Sequence, residues 1–282
     1  MNSKNDIIAI GGIGGSGTRV VAQILEKLNY FIGYDLNVSY DNLLFTLLFK
    51  RQEIHSIGDD EFNFLVDIFM KIMSSNEIIT KEEMAYLSKI ASNDRLFHPA
   101  TWLSERLRYI NKNTIHNSWG WKEPNTHIVI DKLFDNIENL KFIYVYRNGL
   151  DMAYSSNQNQ LKFWGREYLG EKNLDITPKN SLKYWCMTHK RMQDFKKQFP
   201  NRVLMLNFDR LCEETSTILD SIKRFLGSKQ EMRFLETIIK KPASIGRYKN
   251  FPLENFDKED LDFISTLYNN MLDEQKINIG LL

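Results

Sequence analysis

The apolar spacing of the chain changes period several times. Ile7-Ile8-Ala9-Ile10 is apolar on both faces, which predicts a buried parallel strand. Glycines then crowd Gly11-Gly12-Ile13-Gly14-Gly15-Ser16-Gly17, and Val20, Val21, Ile24, Leu25 and Leu28 follow at helical spacing. A second short strand is expected at Phe31-Ile32-Gly33. From about residue 43 to 115 the spacing is helical. Phe62, Leu65, Val66, Phe69 and Met73 make one stripe behind Asp59 and Asp60, two candidate caps. Thr80 with Glu83 fits a capping box. Pro99 opens a third helix carrying Trp102, Leu103, Leu107 and Ile110. Strand signals return at Phe142–Tyr146 and Val203–Leu206. Between them Thr177-Pro178 heads a helix with Leu182, Trp185, Met192 and Phe195. Ile218, Ile222, Phe225 and Leu226 lie on a helix that stops at Gly227, and a last helix starts near Asp257. The pattern predicts one three-layer α/β domain over residues 1–282. Its central sheet is mostly parallel, and an all-helical insertion at about 43–115 lies over the core.

Composition narrows the function. The 282 residues include 37 basic and 36 acidic side chains, a net charge of +1. Nucleic-acid binding, which leans on a basic excess, is not expected. Hydrophobic residues at 43% provide for an ordinary core. Cys186 and Cys212 form neither a disulfide framework nor a metal-site spacing, so no metal is expected. No run is long enough to span a membrane, and the N-terminus lacks a leader's apolar stretch. The expectation is a soluble, cytoplasmic protein acting on a small molecule.

Two clusters carry candidate chemistry. Strand, glycine loop and helix in immediate succession are the opening of a phosphate-binding α/β domain. The glycines let backbone amides converge on an anion, and Ser16 and Thr18 add hydroxyls. Gly12, Gly14 and Gly17 match the dinucleotide spacing, but no second βαβ repeat follows. Nucleotide kinases need lysine after the last glycine, where Thr18-Arg19 stands. The second cluster is Tyr146-Arg147-Asn148-Gly149-Leu150-Asp151-Met152-Ala153-Tyr154-Ser155. An arginine leaving a buried strand lies where α/β sheets bind ligands, and it can fork onto a phosphate.

Together these segments resemble the sulfotransferases that use 3′-phosphoadenosine 5′-phosphosulfate (PAPS) and release adenosine 3′,5′-bisphosphate (PAP). The carrying residues are Gly15-Ser16-Gly17-Thr18, Trp121-Lys122-Glu123-Pro124, Arg147 with Ser155, Leu206-Asn207-Phe208-Asp209-Arg210-Leu211 with Phe225-Leu226-Gly227, and Ser244-Ile245-Gly246-Arg247-Tyr248. Their flavour is similar to the tyrosylprotein and bacterial carbohydrate types. The resemblance covers residues 7–35 and roughly 119–275. It implies a P-loop-type site in which Gly14, Gly15, Ser16, Gly17 and Thr18 hold the 5′-phosphosulfate. Arg147 and Ser155 would grip the 3′-phosphate, and Arg247 and Tyr248 would lie over the nucleotide. It also implies that Lys122 neutralises the leaving oxygen, with no metal. The family usually carries lysine or arginine where Gly15 stands, so Arg19 or Lys122 must supply that charge.

The resemblance further implies a carboxylate base shortly after the first helix. That residue is Asp35, expected to be kept ionised by Lys122 and Arg19, with Asp41 and His98 as alternatives. The acceptor is open between small molecule and glycan, through a hydroxyl or an amine. Two other readings stand beside this one: a P-loop small-molecule kinase, and a degenerate nucleotide-binding protein without turnover.

Overall fold

The computed structural model describes residues 6–74, 77–111, 114–171 and 175–267. In chain order the elements are β1 (Ile7–Gly12), α1 (Thr18–Lys27), α2 (Leu43–Phe49), α3 (Asp59–Ser74), α4 (Lys81–Ala91), α5 (Ala100–Glu105), β2 (Gly120–Lys122), α6 (Ile130–Asn136) and β3 (Leu140–Tyr146). They continue with α7 (Gly149–Ala153), α8 (Asn159–Leu169), α9 (Pro178–Gln198), β4 (Val203–Asn207), α10 (Phe208–Glu213) and α11 (Thr215–Leu226). Residues 258–267 are again helical. No described helix is long and apolar enough to cross a membrane. By contacts the chain forms two compact units. The first is Met1–Tyr146 with Phe195–Lys240, the second Arg147–Asp194 with Lys241–Leu282.

The first unit holds a four-stranded sheet in the order β2-β1-β3-β4, every pair parallel. β1 is central, and all six of its residues are buried, as its two-faced apolar run requires. Ile10 lies opposite Lys122 on one side and Ile143 on the other. Alternate residues Ile8, Ile10, Ile143 and Val145 face one cluster with α1, α10 and α11. From α1 come Val21, Ile24 and Leu25, all fully buried, each worth about 1.5–3 kcal/mol of burial. Gly227 ends α11 in the left-handed region at φ 63°, a conformation glycine takes without strain.

The strand expected at Phe31–Gly33 shrinks to a single parallel bridge, Phe31 to Trp119. Gly33, at φ 135°, turns the chain away before a second pair can form. Between Leu43 and Tyr109 the described elements are helical. The Asn42 side chain accepts from the Phe45 amide and starts α2. Thr80 and Glu83 close the capping box of α4, whereas Asp59 and Asp60 sit inside the first turn of α3, favourable to its dipole. Arg95 donates to the carbonyls of Thr46 and Leu47 in α2 and of Ile90 in α4. One guanidinium thereby serves carbonyls near two helix ends.

In the second unit, Thr177 accepts from the Asn180 amide at the head of α9. The unit's largest fully buried side chains among the described residues are Trp164, Tyr184 and Trp185. Both cysteines are free thiols, and burial pushes the Cys186 thiol far above its ordinary range.

Candidate active site

The glycine loop leaves the carboxyl end of the central strand, where parallel sheets present their ligand sites. Two of its glycines are obligatory. A Cβ on Gly12 would overlap the Val145 carbonyl oxygen, and one on Gly17 would overlap the buried Phe208 ring. Gly17 also sits at φ 94° as the N-cap of α1. The Ser16 amide closes back on the Ile13 carbonyl at 3.0 Å. No acceptor among the described residues is bonded to the amides of Gly14, Gly15 or Thr18. The Ser16 hydroxyl is 1% exposed and has no hydrogen-bond partner among them either. Unbonded amides, an orphaned hydroxyl and the positive end of a ten-residue helix are the donors that an anion would need. Gly15, at φ 93°, carries no cation for a backbone reason. A lysine held there would cost about 1–2 kcal/mol.

Lys122 ends β2 with its side chain 3% exposed. It donates to the Ser39 carbonyl at 2.9 Å and pairs closely with Asp41. Asn37 builds that loop. Its Oδ1 accepts from the amides of Ser39 and Asp41, and its Nδ2 donates to the far oxygen of Asp41 at 2.8 Å. The next residue, Glu123, is fully buried, and burial holds its carboxyl above the usual range despite Lys50 at 3.5 Å. Lys122 thus belongs to a cluster with two cations, Lys50 and Lys122, and two carboxylates, Asp41 and Glu123.

Asp35 is joined to Lys122 through backbone. The Leu43 amide donates to the Asp35 carbonyl at 2.9 Å, and the Asn42 amide to the Lys122 carbonyl at 2.7 Å. The cation beside Asp35 is Arg106, not the expected Lys122 or Arg19. Lys122 is committed to Asp41, and Arg19 points outward as an exposed residue of the first helical turn. Arg106 Nη1 lies 3.4 Å from Asp35 Oδ1 and 3.2 Å from Oδ2. Burial raises the Asp35 pKa above the ordinary carboxylate value, Arg106 pulls it back, and Glu105 pushes it up again. A base stronger than a solvated aspartate results. His98, the third candidate base, is half-buried against Trp102, and its pKa falls to about 4 through burial and the charge of Lys50.

The second unit gathers the other predicted residues. Arg147 follows β3 directly, is 5% exposed and donates to the Ser244 hydroxyl at 3.1 Å. Asn148 caps α7 by accepting from Leu150 and Asp151 amides. Buried Asp151 accepts from the amides of Gly246 at 2.7 Å and Tyr248 at 3.0 Å. Arg247 donates to the Tyr154 carbonyl at 3.1 Å. Arg147, Arg247 and Tyr248, about a hundred positions apart, therefore share one locality. Ser155 does not join Arg147 directly; its hydroxyl accepts from the Asn157 amide.

Three residues of these two localities have no role assigned from the sequence, although Asp151 and Ser244 lie inside quoted motifs. Asp151 was visible as a polar residue inside a helix that otherwise buries Leu150, Met152 and Ala153. Arg106 follows Trp102 by four positions, and its guanidinium lies 4.6 Å above that ring. Ser244 gave no signal of its own.

Residues 8–231 match the model of a family described as the sulfotransferase family. The sulfotransferase domain of a Synechococcus olefin synthase superposes with a TM-score of 0.52 at 13% identity, covering 95% of this chain and 97% of its own. A sulfotransferase domain from the curacin biosynthetic pathway gives 0.50 at 14% identity, with 94% and 98% covered. A mouse sulfotransferase complexed with PAP gives 0.36 at 15% identity, with 90% and 70% covered. No curated protein sequence matches the chain. At these identities the first two structures show a shared α/β fold.

Proposed function

The chain belongs to the sulfotransferase family, and we propose that it transfers the sulfuryl group of PAPS to a hydroxyl of a small-molecule acceptor. The observation that carries this reading is the glycine loop, where the amides of Gly14, Gly15 and Thr18 and the buried Ser16 hydroxyl have no partner among the described residues. It is suited to the 5′-phosphosulfate, which brings several acceptor oxygens and no donor. Arg147 would fork onto the 3′-phosphate, with Ser155 as a second donor, while Arg247 and Tyr248 would line the nucleotide. Arg147 is supported by its burial and by a local frame that fixes it through Ser244.

The transfer needs one bond made and one broken. Asp35 would take the acceptor's proton as the acceptor oxygen attacks sulfur, and the bond from sulfur to the bridging oxygen of PAPS would break. Lys122 would neutralise the charge left on that bridging oxygen, on the phosphate of PAP. The protein otherwise positions groups and excludes water, as in phosphoryl transfer. Asp41 places Lys122 at rest, and Asn37 in turn holds Asp41. The helical stretch from Leu43 to Tyr109 supplies the acceptor side through Arg106.

Isothermal calorimetry with PAP, and separately with ATP and magnesium, tests the nucleotide. The expected result is tight binding of PAP and little of ATP. Preference for ATP with magnesium would favour a kinase. PAP binding without sulfate transfer to any acceptor would favour a nucleotide-binding protein without turnover.

A further inference from the structure

Beside the Asp35–Arg106 pair the first unit contains a small cavity. Leu44, Ile72, Met73 and Ile110 make its walls, and Tyr109, 39% exposed, stands at its rim. The space amounts to about 10 Å³, which is room for one water-sized group. Four polar side chains reach it besides Tyr109: Tyr34, Asp35, Asn42 and Arg106. Two of these are already engaged. Asn42 donates to the Ile32 carbonyl and to Met73 sulfur and accepts from the Phe45 amide. The Tyr34 hydroxyl is hydrogen-bonded to His116 at 3.1 Å.

The other two each keep one buried atom without a hydrogen bond among the described residues, Asp35 Oδ2 and Arg106 Nε. Arg106 Nη1 lies near Oδ2 as an ion-pair partner but is not aligned to donate to it. Both side chains are about nine-tenths buried, at 10% and 11% exposure. A buried carboxylate oxygen without a donor and a buried N–H without an acceptor are each costly, by about 1–3 kcal/mol. One orphan accepts and the other donates. A hydroxyl satisfies both, because it has one O–H to give and lone pairs to receive.

We propose that Arg106 Nε and Asp35 Oδ2 together hold the acceptor hydroxyl, and that the acceptor is a primary alcohol on a slim, apolar body. The inference rests on the sulfuryl-transfer reading and names its substrate class. The cavity has room for the hydroxyl alone, so the carbon that bears it must lie at the Tyr109 rim, where a primary carbon is less crowded than one branched on both sides. The aliphatic side chains around the cavity favour an apolar body behind it. A sugar would bring neighbouring hydroxyls against Leu44, Ile72 and Met73, where the Asn42 amide and the Tyr34 hydroxyl are already engaged. Each unsatisfied hydroxyl would then carry its desolvation cost. Arg106 donates to the hydroxyl oxygen while Asp35 receives its proton, which leaves a lone pair free to attack sulfur.

Sulfate transfer from PAPS to octan-1-ol, octan-3-ol and methyl glucoside tests the class, with PAP affinity measured in parallel. Octan-1-ol is expected to exceed the other two by at least about tenfold in kcat/KM. Arg106→Lys keeps a positive charge beside Asp35 but removes the Nε donor. It is expected to raise KM for octan-1-ol about tenfold with PAP affinity unchanged. Met73→Ala widens the wall and is expected to narrow the gap between octan-1-ol and octan-3-ol. A glucoside or secondary alcohol as the better acceptor overturns the inference. So does intact PAP binding with no transfer to octan-1-ol, or an unchanged KM in a folded Arg106→Lys protein. Loss of PAP binding by the wild-type chain would instead count against the nucleotide reading itself.

Discussion

The glycine loop and the Asp35–Arg106 cavity lie in the same unit and are built by opposite means. The loop is a backbone object. Its groups are amides, its shape is enforced by Gly12 and Gly17, and its span is a few consecutive residues. The cavity is a side-chain object. Its two unsatisfied polar groups, on Asp35 and Arg106, stand 71 positions apart and meet because α2, α3 and the turn after α5 pack together. A backbone site tolerates change in side chains that point away but no added atom where chain passes chain. A side-chain site tolerates modest backbone change but loses its chemistry with one functional group. The two should therefore fail differently, one through folding and the other through turnover.

The sharpest break is Asp35→Asn. If Asp35 is the base, turnover should fall by roughly 10²–10⁴-fold, with melting temperature and PAP affinity near wild type. His98→Gln and Asp41→Asn should keep PAP affinity, and His98→Gln should stay within about tenfold in turnover. The wild-type pH profile adds a second reading. Asp35 must be ionised to act, and burial raises its pKa. Activity should therefore fall with decreasing pH at a point above the ordinary aspartate value. An acid limb that survives Asp35→Asn would assign it to another group.

Gly12→Ala is the matching test for the loop. The new methyl meets the Val145 carbonyl oxygen across the β1–β3 pair, so a loss of about 2–4 kcal/mol of stability is expected. Chemical denaturation measures it, and a variant that stays fully stable but cannot bind PAP would mean that the glycine serves the ligand alone. Arg147→Ala follows in size. It should weaken PAP by about 1.5–3 kcal/mol of charge-assisted bonding, read by calorimetry, and unchanged affinity would remove it from the site.

The smallest effect concerns His98. Its folded pKa, about 4, lies below the ordinary histidine value because of burial and the Lys50 charge. Folding therefore favours the neutral ring. That contribution is present above about pH 6.5 and is lost as pH falls through 4. His98→Gln should flatten the acid-side decline of the melting temperature in that window, and an unchanged slope would place the decline elsewhere.

The elements that the sequence announced share one property: their signal is local. Two-faced apolar runs marked β1, β3 and β4, and Thr80 with Glu83 marked the start of α4. The short β2 was visible only as part of a motif, and the Phe31–Gly33 run was overread because propensity cannot foresee the turn at Gly33. The anion loop was legible for the same local reason. The environment of Asp35 was not. Arg19 and Lys122 are near it in motif or sequence, but the cation that reaches it arrives from the end of α5. Asp151 and the Gly246–Tyr248 turn illustrate the same limit, since a bond across 95 positions leaves no mark in spacing.

The seven residues of α2 are too few to be helical alone. The helix persists because it is pinned at both ends. At its start the Asn42 amide binds the Lys122 carbonyl, and at its finish Arg95 holds the Thr46 and Leu47 carbonyls. A clamped rod makes a poor door. If the cavity takes the acceptor hydroxyl, admission and release fall to the other rim, where Tyr109 is exposed at the end of the 3-10 turn that follows α5. Turnover limited by release would then respond to substitutions at Tyr109 and be indifferent to the exposed face of α4, which takes no part in that rim.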